Sequence, residues 1–161
     1  MNNRSADHTV IGWREWMSLP ELGIVSIKAK IDTGARTSAL HAFYVEPFER
    51  SGQTWVRFGM HPLQNNTELA IECEAPVKDQ RMVSDSGGHR EQRYIIETLF
   101  CLGDKQWRAE MTLTNRDSMK FRMLLGRTAL ADNFYVNPAA SYLLGKKKPS
   151  HNNPGAAVKS E

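Results

Sequence analysis

The sequence predicts an all-β protein, folded as a closed barrel or sandwich with one short helix. Apolar and polar side chains alternate through seven segments, the period-two signature of half-buried strands. Turns rich in glycine, asparagine and serine separate many of these segments. Helical character is confined to Gly126-Arg127-Thr128-Ala129-Leu130-Ala131-Asp132. Many short strands with such turns suit a sheet that curls on itself.

In chain order, residues 10–16 form the first predicted strand and carry Trp13 and Trp16, which with Trp55 and Trp107 read as core or interface anchors. Residues 24–31 alternate through Ile24, Ile27, Ala29 and Ile31. Residues 40–48 and 54–60 flank the Ser51-Gly52 turn, and residues 68–75 follow Asn65-Asn66. Residues 94–102 and 106–114 meet at Gly103-Asp104. The apolar Met123-Leu124-Leu125 forms a strand that feeds the short helix.

The bulk composition narrows the function classes. At 161 residues the chain is long enough for one real core and too short for two full lobes. A net charge of +3, part of it in Lys146-Lys147-Lys148, is far from the dense basic stripe that nucleic acid would require. The polar start Met1-Asn2-Asn3-Arg4 lacks the apolar stretch of a signal peptide, and no run approaches a membrane span. Two cysteines, Cys73 and Cys101, lie in apolar strand-like runs and read as reduced core residues. A cytoplasmic protein with neither nucleic-acid nor membrane partners is expected.

The chemistry concentrates at Lys30-Ile31-Asp32-Thr33-Gly34-Ala35. An acid, a small hydroxyl residue and a glycine follow an alternating strand, which places one carboxylate at a strand end on a turn tight enough to need glycine. Peptide hydrolysis by carboxylates needs two acids holding one water, one as base and the other as acid. Like charges at that distance do not both ionise, so the protonation steps belong to the pair. This chain offers one acid with these flanks. A two-fold dimer would bring two Asp32 side chains together on its axis.

Asp32-Thr33-Gly34-Ala35 after an alternating strand, with Leu124-Leu125-Gly126-Arg127 downstream, resembles the retropepsin-like aspartic peptidases. It is similar in particular to a bacterial branch that carries the label "ATP-dependent zinc protease" and is associated with glutamate ligases. The resemblance implies a retropepsin-like β-barrel over residues 9–144, between a flexible start (1–8) and a disordered tail (145–161). It implies a homodimer in which Thr33 supports the catalytic pair, Gly34 lets backbone approach the carboxylates and Ala35 leaves room for substrate. Leu124, Leu125 and Gly126 would pack beside the catalytic loop. A hairpin spanning residues 82–93, with Met82, Asp85, Ser86, Gly87 and Gly88, would be the flap closing over a peptide or protein substrate.

Two departures sharpen the reading. Acidic residues often follow this motif in the resembled family, one of them anchoring the later arginine; here Arg36-Thr37-Ser38 follow instead. Arg36, together with Thr37 and Arg127, is therefore a candidate for binding acidic side chains or a terminal carboxylate. An ion pair that merely steadies the loop is the other reading of Arg36. The association with glutamate ligases implies glutamate-rich tails as substrates. Asp85-Ser86-Gly87 also has the form of a second acid motif, which one chain could use alone, but it lacks the apolar strand before it and a second Leu-Leu-Gly partner.

The zinc and ATP parts of the label find no motif. His8, His41, His61, His89 and His151 form no His-Glu-x-x-His, and there is no Cys-x-x-Cys, so no metal or cofactor is expected. His41, His61 and Cys73 remain a cross-strand alternative. There is no Gly-x-x-x-x-Gly-Lys-[Ser/Thr], and Ser84 or Ser86 beside His89 is too local for a serine mechanism. The rival to a peptidase is a peptide-binding or scaffold module on the same barrel without hydrolysis.

Overall fold

Ile24, Ile27, Ala29 and Ile31 are all buried, and the barrel is assembled around the strand that carries them. The computed structural model describes residues 8–64, 66–84, 87–88, 90–115, 120–130 and 133–145. The tail beyond Gly145 and the start before His8 lie outside the described residues, as do the predicted flap residues Asp85 and Ser86. The strands are β1 (Thr9–Ile11), β2 (Arg14–Leu19), β3 (Ile24–Asp32), β4 (Ser38–Ala42), β5 (Tyr44–Arg50) and β6 (Gln53–Met60). They continue as β7 (Ile71–Pro76), β8 (Asp79–Ser84), β9 (Arg90–Leu102), β10 (Lys105–Asn115), β11 (Met123–Gly126) and β12 (Phe134–Val136). A short helix, α1 (Arg127–Leu130), follows β11, and a 3-10 turn (Pro20–Leu22) links β2 to β3.

The main sheet runs β10-β4-β11-β3-β2-β9-β8, and β10 also pairs with β9. That second pairing closes six strands into a barrel, so the closed alternative among the predicted all-β architectures is the one formed. Leu40, Phe58, Met60, Ile96, Phe100 and Met111 help fill the core. Each fully buried side chain of this size contributes about 1.5–3 kcal/mol. A separate sheet, β5-β6-β7, packs against the barrel, and β1 pairs in parallel with β12.

Two predicted strands are each divided. Residues 10–16 break at Gly12-Trp13, because the C-terminal segment crosses there: Trp13 N–H donates to Ala140 O at 2.8 Å, and a side chain at Gly12 would overlap the Ala140 carbonyl. Residues 40–48 break at Phe43, whose N–H donates to Gly59 O at 2.8 Å as the chain leaves the barrel for the second sheet. The 68–75 strand begins only at Ile71. β8 and β12 lack the alternation that would have predicted them separately; β8 reads Asp-Gln-Arg-Met-Val-Ser, and its partner β9 organises it.

Trp13 and Trp107 pack against aromatic rings. Trp107 lies between Phe100 and Phe134, with ring centroids 5.8 and 5.3 Å away, and Trp13 meets Phe121 edge-on. Cys73 is buried and donates to Leu22 O at 3.3 Å; burial, then the charge of Glu72, pushes its thiol up to about 12, so it is inert as a nucleophile near neutral pH.

An exposed ladder of ion pairs crosses β8, β9 and β10. Arg108 joins Glu21 (2.8 Å) and Glu97 (3.2 Å), Lys78 joins Glu97 and Glu110 (both 3.0 Å), and Arg81 joins Glu110 (3.3 Å) and Asp79 (2.9 Å). Lys78 and then Arg108 hold the Glu97 carboxyl below its ordinary value, Lys78 does so for Glu110, and Arg81 for Asp79. Groups depressed on folding contribute stability that is complete above their ordinary values, 4.5 for Glu and 3.8 for Asp, and is lost as pH falls through the lower folded values. Hydrogen exchange corrected for intrinsic rates is therefore expected to show β8 opening more readily below pH 4.5, with a smaller change in high salt, where the ladder is already screened. Protection that does not change across that range would remove the ladder's role.

Candidate active site

Asp32 ends β3, and Gly126 of β11 lies directly opposite it in the parallel register, with Leu125 opposite Ile31. β11 is inserted between β3 and β4, so the loop from Asp32 to Ser38 is spanned by a strand from much later in the chain. Asp32 is half-buried, while Thr33 and Gly34 are exposed. Gly34 N–H donates to Asp32 Oδ1 at 3.2 Å, and Ala35 N–H donates to Asp32 O at 3.0 Å, the bonds of an aspartate-led turn.

The rest of the loop is held by α1. The first N–H groups of a helix have no partner within it. Here Arg127 N–H donates to Ala35 O at 2.8 Å and Thr128 N–H to Arg36 O at 3.2 Å. Thr128 Oγ1 also donates to Arg36 O at 2.7 Å, and Gly126 N–H donates to Ser38 Oγ at 3.0 Å. Of Leu124, Leu125 and Gly126, the last is bonded to the Asp32–Ser38 loop, while Leu124 lies opposite Lys30 and Leu125 opposite Ile31 on β3. Ser38 and Thr128 were not singled out from the sequence, where each is one of several ordinary hydroxyl residues.

Arg127 and Arg36 part company. Arg127, without an acidic partner in the loop, turns a guanidinium Nη1–H to Gly34 O at 3.2 Å and clamps the motif. The Arg36 side chain is exposed, and no carboxylate among the described residues pairs with it. Arg36 and Thr37 line a cleft of about 610 Å³ with Arg81, Trp107, Arg108, Ala109, Glu110, Thr128 and Ala129. Arg81, Arg108 and Glu110 were missed; their signal was the charge on alternate positions of β8 and β10. A second hollow of similar size, between Trp16, Cys101 and Leu144, contains none of the loop residues.

The glycines divide by cause. A Cβ on Gly126 would lie 2.6–2.9 Å from backbone atoms of Thr37 and Ser38, which do not move cheaply. A Cβ on Gly34 would meet only Asp32 Oδ1, at the ordinary distance of 3.4 Å, and Gly34 has no left-handed φ. The chain itself therefore does not need glycine at 34, contrary to the expectation of a turn too tight for a side chain. Gly126→Ala is expected to cost about 1–3 kcal/mol in thermal unfolding. Gly34→Ala should leave unfolding unchanged; a comparable loss in both would refute this division.

The predicted flap segment is a β-hairpin: Met82 is opposite Gln92 and Arg81 opposite Arg93. Met82 is exposed, Gly87 lies at the tip, and Gly88 takes a left-handed φ of 87°. His41, His61 and Cys73 go separate ways. His41 Nδ1 meets Thr114 Oγ1 at 2.6 Å, His61 stacks on Phe43, and Cys73 faces Leu22. Among the described residues, no three His, Cys, Asp or Glu side chains come together as metal ligands.

A Shewanella pealeana protein named "Probable alpha-L-glutamate ligase" is 47% identical over 138 residues, covering 86% of this chain and 30% of that protein. A protein of the same name from Parasynechococcus marenigrum is 48% identical over 136 residues, covering 84% of this chain and 29% of its own length. The chain thus spans about 30% of the length of these curated relatives. A crystal structure of a Legionella pneumophila protein of unknown function superposes with a TM-score of 0.67 at 27% identity, covering 84% of this chain and 98% of that one. The family model described as retropepsin-like aspartic endopeptidase RimB matches residues 10–147, so the chain belongs to the RimB-like family.

Proposed function

We propose that the protein is an aspartic endopeptidase whose water-activating pair is one Asp32 from each of two copies. The observation that carries this reading is a single acid displayed on a surface loop that is fastened on its inner side. Among the described residues the Asp32 carboxylate has one hydrogen-bond partner, the Gly34 N–H. The exposed Gly34 supports the reading, since its lack of a side chain answers no need within the chain. A second copy or a substrate backbone approaching the loop would supply that need. Two carboxylates meeting on a dimer axis would share one proton and hold the attacking water, one as base and the other as acid. The β8–β9 hairpin would cover the bound peptide, with Arg36 facing its acidic side chains.

The relatives named as glutamate ligases, each containing a stretch like this one, support glutamate-bearing chains as the substrates. They also favour an alternative, a module that binds such chains without cutting them. Mass spectrometry of a peptide mixture that includes glutamate-rich tails, with chelator present, separates the two. Discrete product ends support the peptidase; retained binding with no products at any pH supports the binding module.

A further inference from the structure

The cleft beside the Asp32 loop carries three guanidinium groups, from Arg36, Arg81 and Arg108, and one carboxylate, from Glu110. These cations are not equally available. Arg108 is engaged on both sides by Glu21 and Glu97, at 2.8 and 3.2 Å. Arg81 holds Asp79 through Nε at 2.9 Å, but its Nη2 reaches Glu110 only at 3.3 Å, the longest contact of the ladder. Glu110 has a shorter partner in Lys78 at 3.0 Å, and Lys78 holds its carboxyl below the ordinary value, so it is charged at neutral pH.

We propose that Arg81 is a specificity-determining residue for carboxylate side chains of a bound peptide, and that Glu110 is the internal carboxylate such a side chain displaces. The exchange strands no charge. Glu110 keeps Lys78, Arg81 keeps Asp79, and the incoming carboxylate takes the Nη edge of Arg81, a geometry that suits a fork of donors. Arg81 lies on β8 of the hairpin and Arg36 on the Asp32 loop, so an acidic peptide spanning both would tie the hairpin to the loop. This rests on the peptide-binding reading of the cleft and does not require that the peptide be cut.

The test is fluorescence anisotropy of labelled oligoglutamate and oligoglutamine peptides on the full Asp32→Asn chain, which would not consume them. Adding Arg81→Gln is expected to weaken oligoglutamate binding about three- to tenfold, while Glu110→Gln tightens it about threefold, with oligoglutamine unaffected by either. The opposite signs set the proposal apart from a structural ion pair, whose two members would weaken binding alike. Both side chains lie in an exposed ladder, and a cooperative thermal transition close to that of the wild type in each variant checks that the fold is intact. Equal weakening by both variants overturns the proposal, as does no change in either, or stronger competition by an oligonucleotide than by oligoglutamate. If the wild-type chain cuts peptides with no preference for acids, this inference fails and the peptidase stands. If nothing is cut but the opposite shifts appear, the peptidase fails and this inference stands.

Discussion

Asp32→Asn is expected to reduce peptide cleavage about 10²–10⁴-fold, the range for losing a positioned acid or base, with no change in fold. The fold should survive because the asparagine Oδ1 can still accept from Gly34 N–H, and the bonds that Gly126 and α1 make to the loop involve Gly34 O, Ala35, Arg36 and Ser38 instead. The informative version of the experiment mixes the two proteins. If each site needs an Asp32 from two copies, a large excess of the variant traps wild-type subunits in mixed dimers. Activity per wild-type subunit then falls to about a tenth at a ninefold excess. A chain that cuts alone, with Asp85 or another group as its second acid, keeps its activity in the mixture. Replacing both carboxylates removes the like-charge repulsion at the axis, so sedimentation should show Asp32→Asn dimers at least as stable as wild type.

The largest stability effect is expected at Glu15, on β2 opposite Ala29 of β3. Its side chain is fully buried, and the carboxylate accepts from Gly12 N–H at 2.7 Å, Leu143 N–H at 2.9 Å and Leu144 N–H at 3.3 Å. One carboxylate thus fastens the C-terminal segment to the bend between β1 and β2. Glu15→Ala leaves these amides without their acceptor and is expected to cost about 3–5 kcal/mol. Glu15→Gln, which keeps one oxygen but turns an NH₂ toward donors, should cost less. The damage should reach the Asp32 strand, because Trp13, held by Ala140, accepts from Ile31 N–H at 2.8 Å, one residue before Asp32. Thermal unfolding measures the first effect; faster hydrogen exchange at Ile31 and at residues 143–144 measures the second. A cost below that of an ordinary surface substitution would refute this role of Glu15.

Much of the barrel was legible because alternation is local. Ile24, Ile27, Ala29 and Ile31 report a half-buried strand whatever it pairs with, and all four are buried. The same locality explains the misses. β8 is polar enough to pass for a loop, and only β9 beside it makes it a strand. The break at Gly12 depends on Ala140, which no window around residue 12 contains. At the candidate site, Asp32 and Gly126 announced themselves by motif, whereas Arg81, Arg108 and Glu110 are ordinary charged residues that become a cleft only when their strands curl past Arg36.

The sequence by itself determined the all-β class, the position of Asp32 at a strand end and the presence of an arginine where an acid was expected. These depend on neighbours along the chain, within reach of one strand or turn. Only the tertiary structure decided which glycine the loop requires and which arginine clamps it. It also decided that Glu15 secures the C-terminal segment. Each of those answers is a contact between residues about 90 or more positions apart. Register between such distant strands is set by burying one face of every strand at once, a condition no single stretch of sequence contains.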